Sequence, residues 1–330
     1  MFNLFLSKNF NLSLLSFIRF MEFSFIAFYT FYNFRKFKKN FYIPFLAGLL
    51  FESSLAVLQV LNQGSLNGIF YFLGERFFTP ETPNIANASI SGQLILRPYG
   101  TFSHPNVLAA YIVFSTIFVL PALRMRKKKT NTLILLSFVL SEAALVLTLS
   151  RASLILYSVL IPLVSFLLIK NKKLLKEGIF IFITSLVPLL TIFIFYNQRI
   201  LELFGESLSK RIDLIKAAFF MISDNPLFGV GIGNFLPEVI KYYRPLVFFD
   251  IQPVHNIYIL IASEIGMIGL FFFLSFMFAL LFRAKKISLI ILLFFLTSGF
   301  FDHYYLTLIQ GQLLFALITA IVWSKVDLLS

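Results

Sequence analysis

The sequence predicts an all-α fold, a polytopic transmembrane helix bundle of about nine spans. Composition is the first observation. Of 330 residues, 59% are hydrophobic and only 13% charged, whereas a soluble domain carries about 25% charged residues. Spacing is the second: apolar runs of about 20 residues, each long enough to cross a bilayer as a helix, recur along the whole chain. Charge placement is the third. A net charge of +13 would suggest nucleic acid in a soluble protein. Here the basic residues sit in short clusters between apolar runs, which reads as topology determination, so no nucleic-acid partner is expected. The alternating ten-residue segments of an outer-membrane barrel are absent. Without cysteine there are no disulfides and no thiolate metal sites.

The spans fall at about 10–34, 41–63, 107–123, 131–149, 152–169, 178–197, 256–282, 287–301 and 305–323. The N-terminal apolar region is long and lacks a small-residue cleavage site, so no cleavable signal peptide is expected. Basic clusters at 35–39, 124–129, 170–173 and 283–286 occupy alternate connections. With Lys176 and Lys325, these cytoplasmic segments hold 17 Lys/Arg against two acids, Glu177 and Asp327; the opposite side holds 10 Lys/Arg and nine acids. The positive-inside rule then gives one threading, N-terminus outside and C-terminus cytoplasmic. Two connections, at about 64–106 and 198–254, are long, and both lie outside. Long loops in compact proteins are usually functional. Residues 1–330 read as a single integral membrane domain.

The first outer loop ends in Arg97-Pro98-Tyr99-Gly100-Thr101-Phe102-Ser103-His104-Pro105-Asn106. Pro105 favours a turn, and Asn106 is placed to cap the following span. The segment is either a structured helix entry or a lining in which Arg97 or His104 faces a ligand. Ser150-Arg151 joins two spans with almost no loop, so Arg151 lies at the outer membrane boundary. It either snorkels to lipid headgroups or meets an anion there. In the second loop, apolar residues at 212, 215, 219 and 222 fit a helix along the membrane surface, with Arg211 and Lys216 able to reach polar partners. The glycines of Asn225-Pro226-Leu227-Phe228-Gly229-Val230-Gly231-Ile232-Gly233-Asn234-Phe235 follow no strand and open no βαβ unit. They read as a tight turn and not as a dinucleotide loop.

The three histidines, His104, His255 and His303, all fall at the outer boundary. A boundary histidine is often a hydrogen-bonded cap. His255, in Val254-His255-Asn256, is delivered by a long loop to the level of Arg151, where a neutral imidazole can accept a proton from an attacking hydroxyl. His303, beside Asp302, is a second possible base. Glu52, Glu142 and Glu264 fall within spans and serve either as proton-relay groups or as partners that orient arginines. Glu264 lies nine residues beyond His255, on the opposite helix face, so no direct dyad is expected. No His/Asp/Glu cluster shows metal-ligand spacing along the chain, so neither a catalytic metal nor any other cofactor is expected.

Taken together, Arg97–Asn106, Ser150-Arg151, the run from Arg211 through Phe235 to Val254-His255-Asn256, and Glu264-Ile265-Gly266 resemble the O-antigen ligase/polymerase family of bacterial membrane proteins. The similarity covers about residues 97–323. The resemblance implies a metal-independent, inverting glycosyltransferase in the bacterial cytoplasmic (inner) membrane. It implies transfer, at the outer face, of a glycan from a polyprenyl-diphosphate carrier to a hydroxyl of a glycan, lipid or protein acceptor. Matched by motif, Arg151 and Arg211 are the diphosphate arginines and His255 the acceptor histidine; Arg97, His104, Asn256, Glu264 and His303 are possible additional site residues. The family usually has ten to twelve spans, against about nine here, so the expectation is either that early spans are lacking or that the sequence begins at an internal start. Polysaccharide polymerase and lipid A-core ligase share these residues. Competing readings are a lipid-linked glycan transporter or flippase, supported by the mid-span acids, and a non-catalytic membrane subunit.

The threading is checked with single cysteines. Those at positions 85 and 230 should label with an impermeant reagent from outside intact cells, and those at 128 and 172 should not. Labelling at 128 would overturn the threading.

Overall fold

The computed structural model describes residues 2–90, 93–125, 128–196, 200–243 and 251–329. Arg126 and Lys127 of the second basic cluster, and residues 198–199 and 244–250 of the second loop, lie outside the described residues. The elements run α1 (Phe2–Phe5), α2 (Phe10–Asn62), α3 (Ile69–Phe72), β1 (Asn87–Ile90), β2 (Gln93–Leu96), α4 (Pro105–Val119), α5 (Lys128–Thr148), α6 (Arg151–Ile169), α7 (Leu175–Thr184) and α8 (Val187–Tyr196). They continue with α9 (Ile200–Asp224), α10 (Phe235–Val239), α11 (Ile257–Arg283), α12 (Ile287–Ser298), α13 (Tyr304–Thr307) and α14 (Ile309–Trp323). The protein is an all-α polytopic helix bundle.

Among the described residues, seven helical segments are long and apolar enough to cross a membrane: Phe10–Phe37, Asn40–Asn62, Pro105–Arg124, Lys128–Thr148, Arg151–Ile169, Lys172–Phe193 and Ile257–Arg283. Ile287–Ser298 and Ile309–Trp323 are shorter apolar helices that coincide with the last two expected spans. The expected connection at 35–39 is not a break: α2 continues through it. Its Arg, Lys and Phe residues are all compatible with helix, and no glycine or proline interrupts them.

The chain forms two compact units. One comprises Arg35–Asn197, Lys286–Phe294 and Asp327–Ser330. In it, the loop at 64–106 folds onto the second half of α2. Glu52 accepts hydrogen bonds from the Thr101 backbone N–H at 2.9 Å and the Thr101 hydroxyl at 2.5 Å. Seven residues on, along the same helix face, the Gln59 side-chain oxygen accepts from Tyr99 N at 2.9 Å and Gly100 N at 2.8 Å. Its amide donates to Gly100 O at 3.0 Å and to Glu75 at 2.9 Å. Glu75 in turn accepts from Leu66 N and Asn67 N. Glu52 therefore satisfies loop backbone that burial would otherwise leave unpaired. The two-stranded antiparallel hairpin of β1 and β2 was not anticipated. Ser91-Gly92 between two short β-prone runs is the turn signal that marks it.

The other unit comprises Met1–Phe34, Gln198–Lys285 and Phe295–Val326. Its core joins one face of α9 (Leu214, Ala217, Ala218, Met221) to Val230, Phe235, Val239, Val254 and Leu260. The expected surface stripe lies elsewhere on α9, with Ile212 and Phe219 exposed and Ile215 and Ile222 half-buried. The helix thus has one face for the protein and another available to the membrane boundary.

α11 is broken at Gly266, whose φ of 73° and ψ of −179° are open essentially to glycine alone. The loop after α9 lies across the break. Val230 N donates to Ser263 O at 3.0 Å, Gly231 N to Glu264 O at 2.8 Å, and Met267 N to Pro226 O at 2.9 Å. Gly229, Gly231 and Gly233 all have positive φ, giving the tight turn read from the sequence. That turn packs against α11 and the N-terminal segment: Asn3 Nδ2 donates to Glu264 O at 3.1 Å, Asn3 Oδ1 accepts from Ile232 N at 3.0 Å, and Ser13 Oγ donates to Ile232 O at 2.9 Å. Val230 is fully buried, so Leu236, 42% exposed, replaces it as the outer labelling position.

A β-carbon at Gly266 would stand 2.1 Å from the Leu227 carbonyl oxygen, whereas one at Gly68 (φ 57°) would meet nothing within 4 Å. Gly68→Ala should therefore cost about 1–3 kcal/mol of backbone strain. Gly266→Ala adds overpacking and should cost roughly 3 kcal/mol or more. Thermal unfolding of the two variants in one detergent checks this; equal losses would refute the close approach.

Candidate active site

The site is built on the entry to α11. Asn256 is its N-cap: the side-chain oxygen accepts from Tyr258 N at 2.9 Å and Ile259 N at 3.0 Å, satisfying two of the free N–H groups of the first turn. The same side chain donates to Phe300 O at 3.4 Å, and Ile257 N donates to Gly299 O at 2.9 Å. Tyr258 adds a bond from its hydroxyl to Leu296 O at 2.7 Å. The turn after α12 is thus tied to the start of α11. His255 is brought to Asp302 and His303, residues far apart in the chain.

His255 Nδ1 lies 3.4 Å from Asp302 Oδ1. The pair is within ion-pair distance but not aligned as a hydrogen bond, and the nitrogen is buried with no hydrogen-bond partner among the described residues. Asp302 is 8% exposed. Its Oδ1 accepts from His303 N at 2.8 Å and lies 4.0 Å from His303 Nε2. The two imidazole rings are 5.1 Å apart between centroids. His303 Nδ1 is 2.7 Å from the Thr307 hydroxyl. Arg211 comes from α9, and its Nη1 donates to Phe301 O at 3.4 Å. Arg211, His255, Asp302 and His303 therefore form one cluster within one unit. The sequence reading found no ligand cluster along the chain. In three dimensions, one ligand atom each from His255, Asp302 and His303 lie within 4.8 Å of one another.

Burial holds His303 well below the ordinary imidazole value, at about 4; the Asp302 charge opposes this, while His255 and Arg211 add to it. A base so weakened drives proton transfer poorly near neutral pH. His303 is thus a poor candidate for the base. Behind them, burial raises the Tyr304 phenol, which stays protonated, and Tyr305 shares a 2.7 Å hydrogen bond with Ser298.

Glu264 does not address an arginine: its side chain accepts from Phe235 N at 3.1 Å and so holds α10 to α11. In the other unit, Arg97 donates from Nε to Thr148 O at 2.6 Å and from Nη2 to Asn106 Oδ1 at 2.9 Å. His104, and not Asn106, caps α4, its Nδ1 accepting from Asn106 N at 3.1 Å. The cap position shifts because Pro105 occupies the first helical position, where a missing N–H costs nothing. Arg97 and His104 thus shape the turn that leads to Ser150-Arg151. In that turn Leu149 has a φ of 50°. Arg151 opens α6, and the Ser150 side chain bonds the Ser153 hydroxyl at 3.2 Å without capping the helix. An arginine at a helix N-terminus works against the helix dipole, and an anion there satisfies both.

Residues 134–274, a little under half of the chain, match the family model described as O-antigen ligase. This segment is similar to the O-antigen ligase family. The matched segment contains Arg151, Arg211, His255, Asn256 and Glu264, and the hairpin loop and Asp302-His303 lie beyond its limits. The match supports an enzyme of glycosyltransferase type, acting in a membrane on a lipid-linked glycan and an acceptor. No curated protein matches the chain. Sequence reasoning named His303 and noted Asp302 beside it, but missed the His255–Asp302 pair, since nothing in linear spacing joins residues on different helices.

His303 supplies a pH test. Its folded value near 4 lies below its ordinary value of 6.5. The unfolded chain therefore binds more protons between those values, and stability falls as pH drops through that window. The midpoint of thermal unfolding should decrease from pH 7 to pH 5, and His303→Gln should flatten that slope. An unchanged slope in the variant would show that His303 is not held neutral.

Proposed function

We propose that the protein is a metal-independent, inverting glycosyltransferase of O-antigen polymerase or ligase type, acting as a single integral membrane domain at the outer face of the bacterial inner membrane. The observation that carries this reading is the cluster of Arg211, His255 and Asp302. With Nδ1 of His255 turned toward Asp302, Nε2 is the nitrogen left to take a proton from the acceptor hydroxyl. Asp302 then faces the imidazolium that forms and holds its orientation. The acceptor oxygen attacks the anomeric carbon, the bond from that carbon to the diphosphate oxygen breaks, and the configuration inverts. The departing polyprenyl diphosphate is received by Arg211 of this cluster; Arg151, in the other unit, is assigned to the diphosphate by the motif match alone. Guanidinium groups suit this task because they stay charged when partly desolvated and meet phosphate oxygens with two parallel donors. The lipid carrier confines the donor to the membrane plane, which supplies proximity.

A broken span is also a transporter feature. At Gly266, however, loop backbone fills the break: Ser263 O and Glu264 O accept from Val230 N and Gly231 N, and Met267 N donates to Pro226 O. These groups are taken up in the fold and do not line an ion path, which favours the transferase. The contacts of Asn3 and Ser13 with the loop of α9 support the reading that the N-terminus lies on the same side as that loop.

His255→Ala should lower turnover by about 100-fold or more, the usual span for a general base, with donor binding largely kept. Arg151→Lys and Arg211→Lys keep the charge and lose the planar fork; each should weaken binding of a short-chain polyprenyl-diphosphate donor or slow transfer by about 100-fold. Turnover should survive strong chelation. The assay is transfer by purified, normally inserted protein. Normal turnover by His255→Ala would defeat the base assignment, and loss of activity in chelator restored by one divalent ion would defeat the metal-free mechanism.

A further inference from the structure

We propose that His255, Asp302 and His303 form a binding site for a late first-row divalent cation such as Zn²⁺, and that occupation of this site inhibits transfer. The inhibitory part rests on the proposed role of His255. The site itself rests on geometry. Two imidazole nitrogens and one carboxylate oxygen lie within 4.8 Å of one another. Asp302 Oδ1 is central, 3.4 Å from His255 Nδ1 and 4.0 Å from His303 Nε2. Ligand atoms about 2.0–2.1 Å from tetrahedral zinc are separated by roughly 3.3 Å. The first distance already fits, the second needs a shift of less than an ångström, and the two imidazole nitrogens, within 4.8 Å of each other, must close by up to about 1.5 Å.

Chemistry adds a second argument. His255 Nδ1 is buried and makes no hydrogen bond among the described residues, so a cation that replaces its proton would give an unsatisfied nitrogen its partner. Two nitrogens and one carboxylate oxygen favour zinc, copper or nickel over magnesium or calcium, which select oxygen. Backbone N–H of His303 bonds the carboxylate and fixes it, as supporting groups do for metal ligands. Arg211, whose guanidinium reaches Phe301 O, opposes a cation and limits affinity to the micromolar range rather than the tighter range of structural zinc. A bound cation would hold His255 in place and screen it from the acceptor.

The test uses full-length protein in nanodiscs, purified without a histidine tag and stripped with chelator. Titration with Zn²⁺ followed by calorimetry, and with Co²⁺ followed by visible absorption, should show one equivalent bound at micromolar concentration. His255→Ala and His303→Ala should each weaken binding at least 100-fold, and His104→Ala should leave it unchanged. Thermal unfolding confirms that each variant is folded; if a histidine variant is not, Asp302→Asn takes its place. Zn²⁺ should abolish turnover over the same concentration range, reversibly with chelator, and Mg²⁺ should not. Absence of binding, or binding that survives loss of both histidines, overturns the site and leaves the transferase reading untouched. Binding without inhibition overturns the inhibitory role if His255→Ala is inactive. If His255→Ala is active, the same result overturns the base assignment instead.

Discussion

The candidate site depends on one backbone discontinuity, the break in α11 at Gly266. A helix from Ile257 to Arg283 is about 40 Å long at 1.5 Å per residue, against a hydrocarbon core of about 30 Å. The break divides it into a long apolar segment and a short N-terminal piece that carries the site. The loop from Pro226 to Gly231 satisfies the backbone groups that the break exposes. Glu264 accepts from Phe235 N on the same side. Fixing the short piece fixes Asn256, and through Asn256 and Ile257 it fixes the turn at 299–302. His255 and Asp302 meet because both ends of this arrangement are pinned.

The buried carboxylates follow a common rule. Glu52, Glu75 and Glu264 each accept hydrogen bonds from loop backbone N–H groups. A carboxylate in an apolar setting is costly unless its oxygens are satisfied, and a buried loop is costly for the same reason. Each removes the other's penalty. These acids hold loops onto helices, and Asp302 is the one carboxylate that meets imidazoles among the described residues.

Much of this was legible in the sequence, because spans are written in local composition. Seven of the nine expected spans appear among the described residues as helices long and apolar enough to cross a membrane, and the last two as shorter apolar helices of 12 and 15 residues. The glycine turn at 229–233 was legible from spacing, and Arg211 and His255 from their residue types in long loops. Three features were not. The continuity of α2 depends on the absence of a breaker, a weak signal beside a strong basic cluster. His104 as the cap depends on the exact place of Pro105. The pairing of His255 with Asp302 depends on a tertiary contact between α11 and the turn after α12, and no local period encodes it.

The claim that His255 and Asp302 act as one unit in transfer is tested most directly by a double-mutant cycle on turnover, with His255→Gln, Asp302→Asn and the double variant compared at saturating donor and acceptor. If Asp302 acts through His255, the double variant should be no slower than His255→Gln alone, as groups that function together are strongly non-additive. If the two losses multiply, Asp302 and His255 contribute independently, and the account of the site built on their pairing is contradicted.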